Sequence, residues 1–287
     1  MRNLLAGAID YAGLFPPAAL ALEAAVRNYS DYRVGRHSWM LGRFIVPAPR
    51  LSELQHQLEA MPESTPWKIS ALVGQNYQSE FDCIRAFNHD NAHRAVVDAT
   101  EASRDLYNKV EDVLAAAPAG NRAYFEVPLD ATVDQLRTMH RSGARAKVRT
   151  GGLVPQAIPP ALDLARFIVN CATAGVAFKA TAGLHHPIRC LKPLTYEANA
   201  PEGEMHGFVN LLFAGALAMQ GASVEALGNV LSEKDASSFM FTESKARWLG
   251  ESVSTQKLYD ARQQLVISFG SCSFEEPVED LGALEWL

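Results

Sequence analysis

Short apolar runs that stop at glycine or proline, most of them followed by a stretch of helical length, recur along this chain and set the tightest limit on its fold. Ile9-Asp10-Tyr11-Ala12-Gly13-Leu14-Phe15-Pro16-Pro17 reads as a strand halted by two prolines, because proline cannot donate to a ladder and restricts the residue before it. Ala18 to Tyr32 follows as a helix rich in Ala and Leu. Further strands are expected at 43–47, 67–73, 93–98 and 122–127, with helices at 51–61, 78–88, 103–117 and 132–142. Ala146 to Gly152 and Val176 to Pro187 are two more strand-like runs, and Pro159-Pro160 opens the helix between them. A final strand, Gln264 to Phe269, ends at Gly270. Eight strands, most followed by a helix, predict an α/β fold of the (β/α)8 TIM barrel type.

The rhythm breaks between Cys190 and Ala261. A loop bearing Pro and Glu (Pro193 to Gly203), an apolar helix (His206 to Met219), a second helix (Val224 to Leu231) and a polar piece (Phe239 to Gly250) read as an enlarged helical insertion before the last strand. With no internal repeat or low-complexity tract, residues 1–287 read as a single barrel domain with 190–261 inserted in it. A 48% hydrophobic content is enough for one large core. The net charge of −6, with no extended cluster of Lys and Arg, argues against nucleic acid or an anionic membrane as partner. Nothing approaches the roughly 20 apolar residues of a membrane span, and the N-terminal apolar run is cut short by Asp10. Cys83, Cys171, Cys190 and Cys272 lack the close spacing of a zinc site or a disulfide framework, and read as reduced thiols of a cytoplasmic protein. A homo-oligomer is compatible with the sequence, which does not define the assembly.

The stretch from Ala146 to Arg189 carries the chemistry. Lys147 lies in one apolar run and Lys179 in the next, and a lysine so placed must hide, pair or lose its charge. Two on neighbouring strands push each other toward the neutral amine that a Schiff-base enzyme needs. In such barrels function gathers at the C-terminal ends of the strands, where Asp10, Asp98, Glu101, Glu126, Lys147, Arg149, Lys179, His185 and His186 fall. Asp98 and Glu101 read equally well as helix caps or solvated loop residues. Glu126 is costly alone in an apolar run, with pairing to Lys147 or Arg149 as its structural alternative. Adjacent histidines on an extended chain point to opposite sides, so at most one of His185 and His186 faces a site. Gly270-Ser271-Cys272-Ser273 offers backbone N–H groups to an anion or is a plain turn, and the acidic Glu275, Glu276, Glu279 and Asp280 beyond it oppose phosphate.

These motifs occur in the order found in class I deoxyribose-phosphate aldolases, which the chain resembles. The opening Ile9-Asp10-Tyr11-Ala12-Gly13-Leu14-Phe15-Pro16 is similar to that family's Ile-Asp-His-Thr-Leu-Leu-x-Pro, and Arg122-Ala123-Tyr124-Phe125-Glu126 to its strand ending in a buried Glu. Lys147-Val148-Arg149-Thr150-Gly151-Gly152 resembles its Lys-Thr-Ser-Thr-Gly-Phe. Phe178-Lys179-Ala180-Thr181-Ala182-Gly183 is similar to its second lysine strand, and Phe269-Gly270-Ser271-Cys272-Ser273 to its closing Gly-x-Ser-Ser. The resemblance implies that Lys147 forms the Schiff base and that Lys179 depresses its pKa. It also implies an acidic partner two strands earlier, where Asp98 is the nearest match, displaced by a few positions. Three departures stand out: Arg149 beside the lysine, His185-His186 in place of the second glycine and its follower, and the insertion. They point to a substrate other than deoxyribose phosphate, and Arg149 or Arg189 in the site suits a carboxylate such as a keto acid.

The expectation is therefore an aldolase-type lyase that makes or breaks a C–C bond of a small carbonyl substrate through a lysine imine, without metal or cofactor. Lys147, Lys179, Glu126, Asp98 and Asp10 are its expected catalytic groups. Arg149, His185, His186, Arg189, Gly270 and Ser271 are its expected substrate contacts. One alternative is a metal-assisted lyase or hydrolase using His185, Glu126, Asp10 and His206. Another is a non-catalytic barrel that binds a small acidic ligand, with the lysines paired.

Overall fold

The computed structural model describes residues 1–62 and 65–287. The chain begins with α1 (Arg2–Leu5), β1 (Ile9–Tyr11), α2 (Leu22–Val34), β2 (Leu41–Pro47), α3 (Leu51–Glu59), β3 (Trp67–Val73) and α4 (Tyr77–Asn91). It continues through β4 (Ala95–Ala102), α5 (Val110–Ala116), β5 (Arg122–Glu126), α6 (Val133–Arg141), β6 (Arg145–Arg149), α7 (Ala161–Ala174) and β7 (Phe178–Thr181). After β7 come β8 (Cys190–Pro193), β9 (Glu202–Met205), α8 (Phe208–Ala218), α9 (Val224–Ser232), β10 (Phe239–Phe241), β11 (Lys245–Trp248) and β12 (Glu251–Ser254). The chain closes with α10 (Thr255–Gln264), β13 (Val266–Ser271) and α11 (Glu275–Ala283).

Strands β1 to β7 pair in sequence order and β13 closes the circle between β7 and β1, giving an eight-stranded barrel that is parallel throughout. Helices wrap it on the outside, as the (β/α)8 TIM barrel requires. The capping box at Thr132 and Gln135 starts α6, and Gly175, with φ of +73°, ends α7 in the left-handed conformation that glycine adopts most readily. Among the described residues, no helix is long and apolar enough to cross a membrane.

Two expectations change. Strand β4 does not stop at Asp98 but runs on to Ala102, and only after a 3-10 turn over Arg104–Lys109 does α5 begin. The insertion also contains more than helices. Strands β8 and β9 form an antiparallel hairpin, and β10, β11 and β12 form a small antiparallel sheet. In β11 the alternation of exposed Lys245 and Arg247 with buried Ala246 and Trp248 is the period of two that a half-buried strand requires.

The two helices of the insertion complete the outer layer. Every residue of α8 is buried, which explains a helix apolar on all faces. A Cβ at Gly215 would lie 2.2 Å from Val266 Cγ2, so glycine lets α8 press directly on β13. At the N-terminal end, the buried Arg262 guanidinium donates to the main-chain carbonyls of Leu4, Ala6, Val266 and Ile267, tying α10 to the first turn and the last strand.

Candidate active site

Register brings the charged residues together. Glu126 on β5 is the partner of Lys147 on β6, Lys147 of Lys179 on β7, and Lys179 of Ser268 on β13. Registered neighbours in a parallel sheet share a face, so these four side chains form one inward-facing row. Asp10 on β1, beside β13, and Glu101 on β4, beside β5, flank the two ends of that row. Lys179 Nζ donates to Asp10 Oδ2 and to Glu101 Oε1, both at 2.6 Å. Asp10 also accepts from Ser268 Oγ at 2.7 Å and from the Arg43 backbone N–H at 2.7 Å, and Glu101 Oε1 accepts from Ser70 Oγ at 2.9 Å.

Lys147 is held more loosely. Its Nζ lies 3.5 Å from Glu101 Oε2 and 3.3 Å from Glu126 Oε2, and Glu126 is shared with Arg149 at 3.2 Å. Three cations thus face three carboxylates. Burial works against the charge on Glu101, but Lys179 and then Lys147 outweigh it and hold this carboxyl down at about 2. Burial likewise opposes the charge on Lys179, and Asp10 and Glu101 overcome it, so its pKa is raised. The sequence suggests two lysines driving one another toward neutrality. For Lys179 the opposite holds, because two carboxylates stand against it.

From the sequence, Glu101 reads equally well as a catalytic group and as a cap or loop residue. Its inward direction comes from a bulge: Ile69 pairs with Val97 and Ser70 with Ala99, leaving Asp98 as the extra residue of β4. Side chains of a regular strand face the same way only at even spacings. The extra residue resets that parity, so Asp98 and Glu101 both reach charged partners within the barrel. They do so at different levels. Asp98 binds Arg43 at 2.6 Å and Arg122 at 2.9 Å, next to the first residue of β5 and away from both lysines. The acidic neighbour expected from Asp98 is therefore Glu101, three residues further on.

A cavity of about 380 Å³ opens at the C-terminal ends of the strands. Lys147, Glu101, Arg149, His185, Gly270 and Cys272 line it together with the apolar Phe15, Pro16, Ile45 and Leu72, whereas Lys179 does not. At its side the loops after β6 and β7 approach closely, since a Cβ on Gly151 would lie 2.9 Å from Gly183 Cα. Gly183 and the preceding Ala182 both have positive φ, +74° and +65°, a conformation uncommon for alanine and frequent at functional loops.

The remaining expected contacts separate. His185 faces the cavity, with Nδ1 2.7 Å from Glu276 on α11, while His186 turns to Asp280 at 2.6 Å and does not line it. Burial opposes a charge on His185, but its hydrogen bonds with Cys272 and Glu276 prevail and raise it to about 9. Arg189 binds Glu204 and His206, outside the cavity, and Ser271 Oγ accepts from the Ser273 N–H. His206 donates through Nε2 to the Pro159 carbonyl, and burial lowers it to about 4, so this histidine serves to join loops. The four side chains of the metal alternative are not gathered, and no group of three or more His, Cys, Asp or Glu residues among the described residues is arranged to hold a metal ion.

The molecule is thus a closed (β/α)8 barrel with a buried lysine and carboxylate cluster under a C-terminal cavity. Comparison of the chain with protein-family models, with curated proteins and with solved structures found no significant match.

Proposed function

We propose that this barrel is an aldolase-type lyase, acting on a small carbonyl compound through a Schiff base at Lys147. The observation that carries the reading is the difference between the two lysines. Lys179 has two carboxylates at 2.6 Å and does not line the cavity, whereas Lys147 lines it and has only longer ion pairs. The lysine that can meet a carbonyl carbon is Lys147.

In this reading the Lys147 amine, after passing a proton to Glu126, attacks the carbonyl carbon, and loss of water leaves the iminium. The iminium accepts the electron pair released when the adjacent C–C bond breaks. Glu126, having given its first proton to the departing water, takes the hydroxyl proton of the departing half and returns it to carbon. Lys179 and Lys147 keep Glu101 ionised, and the hydrogen bonds from Lys179 and Ser70 hold it in place. Arg149 and the charged His185 flank the cavity and suit a substrate with a carboxylate, while the acidic first turn of α11 works against phosphate. The likeness in motif order to class I deoxyribose-phosphate aldolases supports the same chemistry without supplying the substrate.

Borohydride trapping tests this. The protein is incubated with a panel of small aldehydes, keto acids and sugar phosphates, reduced, digested and mapped by mass spectrometry. A saturable adduct on Lys147 that disappears in Lys147→Ala is expected. Absence of such an adduct with every carbonyl, while a folded state is maintained, overturns the proposal.

A further inference from the structure

A second chemically competent group faces the same cavity. Cys272, just beyond β13, and His185, beyond β7, both line it. Sγ lies 3.9 Å from His185 Nε2, and His185 Nδ1 is 2.7 Å from Glu276 Oε2. From the loop joining β8 to β9, the Tyr196 hydroxyl donates to Glu276 Oε1 at 3.1 Å and lies 3.8 Å from the same sulfur. A sulfur next to a protonated imidazole, with the imidazole oriented by a carboxylate, is the arrangement that favours a thiolate nucleophile. The other three cysteines lack it. Cys83 is exposed on α4, and burial pushes the thiols of Cys171 and Cys190 up. Nothing in the Lys147 chemistry uses Cys272, Tyr196 or Glu276.

We infer that Cys272 is a second nucleophile of the cavity, adding reversibly to the carbonyl carbon of a small aldehyde with His185 as its proton partner. A sulfur lone pair forms the C–S bond and the carbonyl π pair moves to oxygen. That oxygen takes the one proton held between Sγ and Nε2, so thiol and aldehyde give a hemithioacetal with no further reactant. Glu276 is a positioning residue, keeping Nε2 turned toward sulfur. Tyr196 closes the group from the insertion, which gives that segment a part in the cavity. The choice of an aldehyde rests on the carbonyl reading of Lys147, but the reactivity of the thiol does not.

Timed alkylation with iodoacetamide at neutral pH, quantified for each cysteine by peptide mass spectrometry, tests the thiol. Despite its burial, Cys272 is expected to react about tenfold faster than exposed Cys83, which serves as an internal control for overall reactivity. His185→Gln should remove most of that advantage and Glu276→Gln part of it, with the Cys83 rate unchanged; the second variant keeps the test open where the first does not fold. Reaction of Cys272 no faster than Cys83, or a rate indifferent to both substitutions, overturns the thiol assignment. Propionaldehyde should protect Cys272 saturably in the wild type and in Lys147→Ala alike. Protection absent from both refutes hemithioacetal formation, and protection lost only in Lys147→Ala assigns the aldehyde to the lysine alone. Failure of borohydride trapping with protection intact sinks the imine and leaves the thiol.

Discussion

Replacing Lys179 by methionine removes the cation between two of the most buried carboxylates in the molecule. Asp10 and Glu101 are 1% and 3% exposed, and each receives a 2.6 Å hydrogen bond from this one ammonium. Breaking a buried pair by deleting one partner costs about 3–5 kcal/mol, because the other charge is left uncompensated. Linkage gives a comparable figure for all the partners of Glu101 together, Lys147 and Ser70 as well as Lys179. The Glu101 carboxyl is depressed from 4.5 to about 2, and at about 1.4 kcal/mol per pH unit this contributes roughly 3 kcal/mol. A depressed carboxyl stabilises the fold above its unfolded pKa and loses that contribution as pH falls through its folded value. The contribution is thus fully present at neutral pH, is lost between about 4.5 and about 2, and has fallen to roughly 1 kcal/mol by pH 3. Urea unfolding of wild type, Lys179→Met, Glu101→Gln and the double variant measures it. Lys179→Met should be destabilised by about 3 kcal/mol at neutral pH, and the double variant should recover part of the loss by removing the stranded carboxylate. A single variant within 1 kcal/mol of wild type, or a double variant worse than the sum of the singles, would refute this account of the cluster.

Other consequences follow from single contacts. Glu126→Gln removes the carboxylate 3.3 Å from Lys147, and under the proposed mechanism it should slow single-turnover imine formation by about 10²–10⁴-fold while the thermal midpoint moves little. Gly215→Ala forces a Cβ to within 2.2 Å of Val266 Cγ2 and should cost about 1–3 kcal/mol in urea unfolding, with partial rescue by Val266→Ala. His185, raised from 6.5 to about 9, adds stability that is complete below 6.5 and is lost as pH rises through about 9. Titration of its imidazole resonances by NMR should place the midpoint well above 6.5, and Glu276→Gln should lower it; a midpoint at or below 6.5 contradicts the described pairing.

Much of the barrel is legible because each strand announces itself locally. Trp67 to Val73 is an apolar run closed by Gly74, and the strand occupies those residues. The register of Lys147 beside Lys179 follows once each lysine is placed in its own run. The insertion is harder to read. Its helices show in their apolar spacing, but β8 to β12 are three or four residues each, too short for alternation to outweigh their Glu, Lys and Ser content. The Lys245-Ala246-Arg247-Trp248 run carries the plainest period of two among them.

The site turns on a feature that alternation cannot express. If β4 were regular, Asp98 and Glu101, three apart, would face opposite sides, and an inward Asp98 would leave Glu101 among the helices. The extra residue of the bulge turns Glu101 inward. Glu101 then stands between the lysines, with Oε1 on Lys179 and Oε2 toward Lys147. Two lysines on adjacent strands imply mutual repulsion only until a carboxylate is placed between them, and the bulge places one there. What distinguishes the lysines is therefore their access to counter-charge and to the cavity. Lys179 has the shorter ion pairs, while Lys147 has the looser ones and faces the cavity, where a carbonyl can reach it.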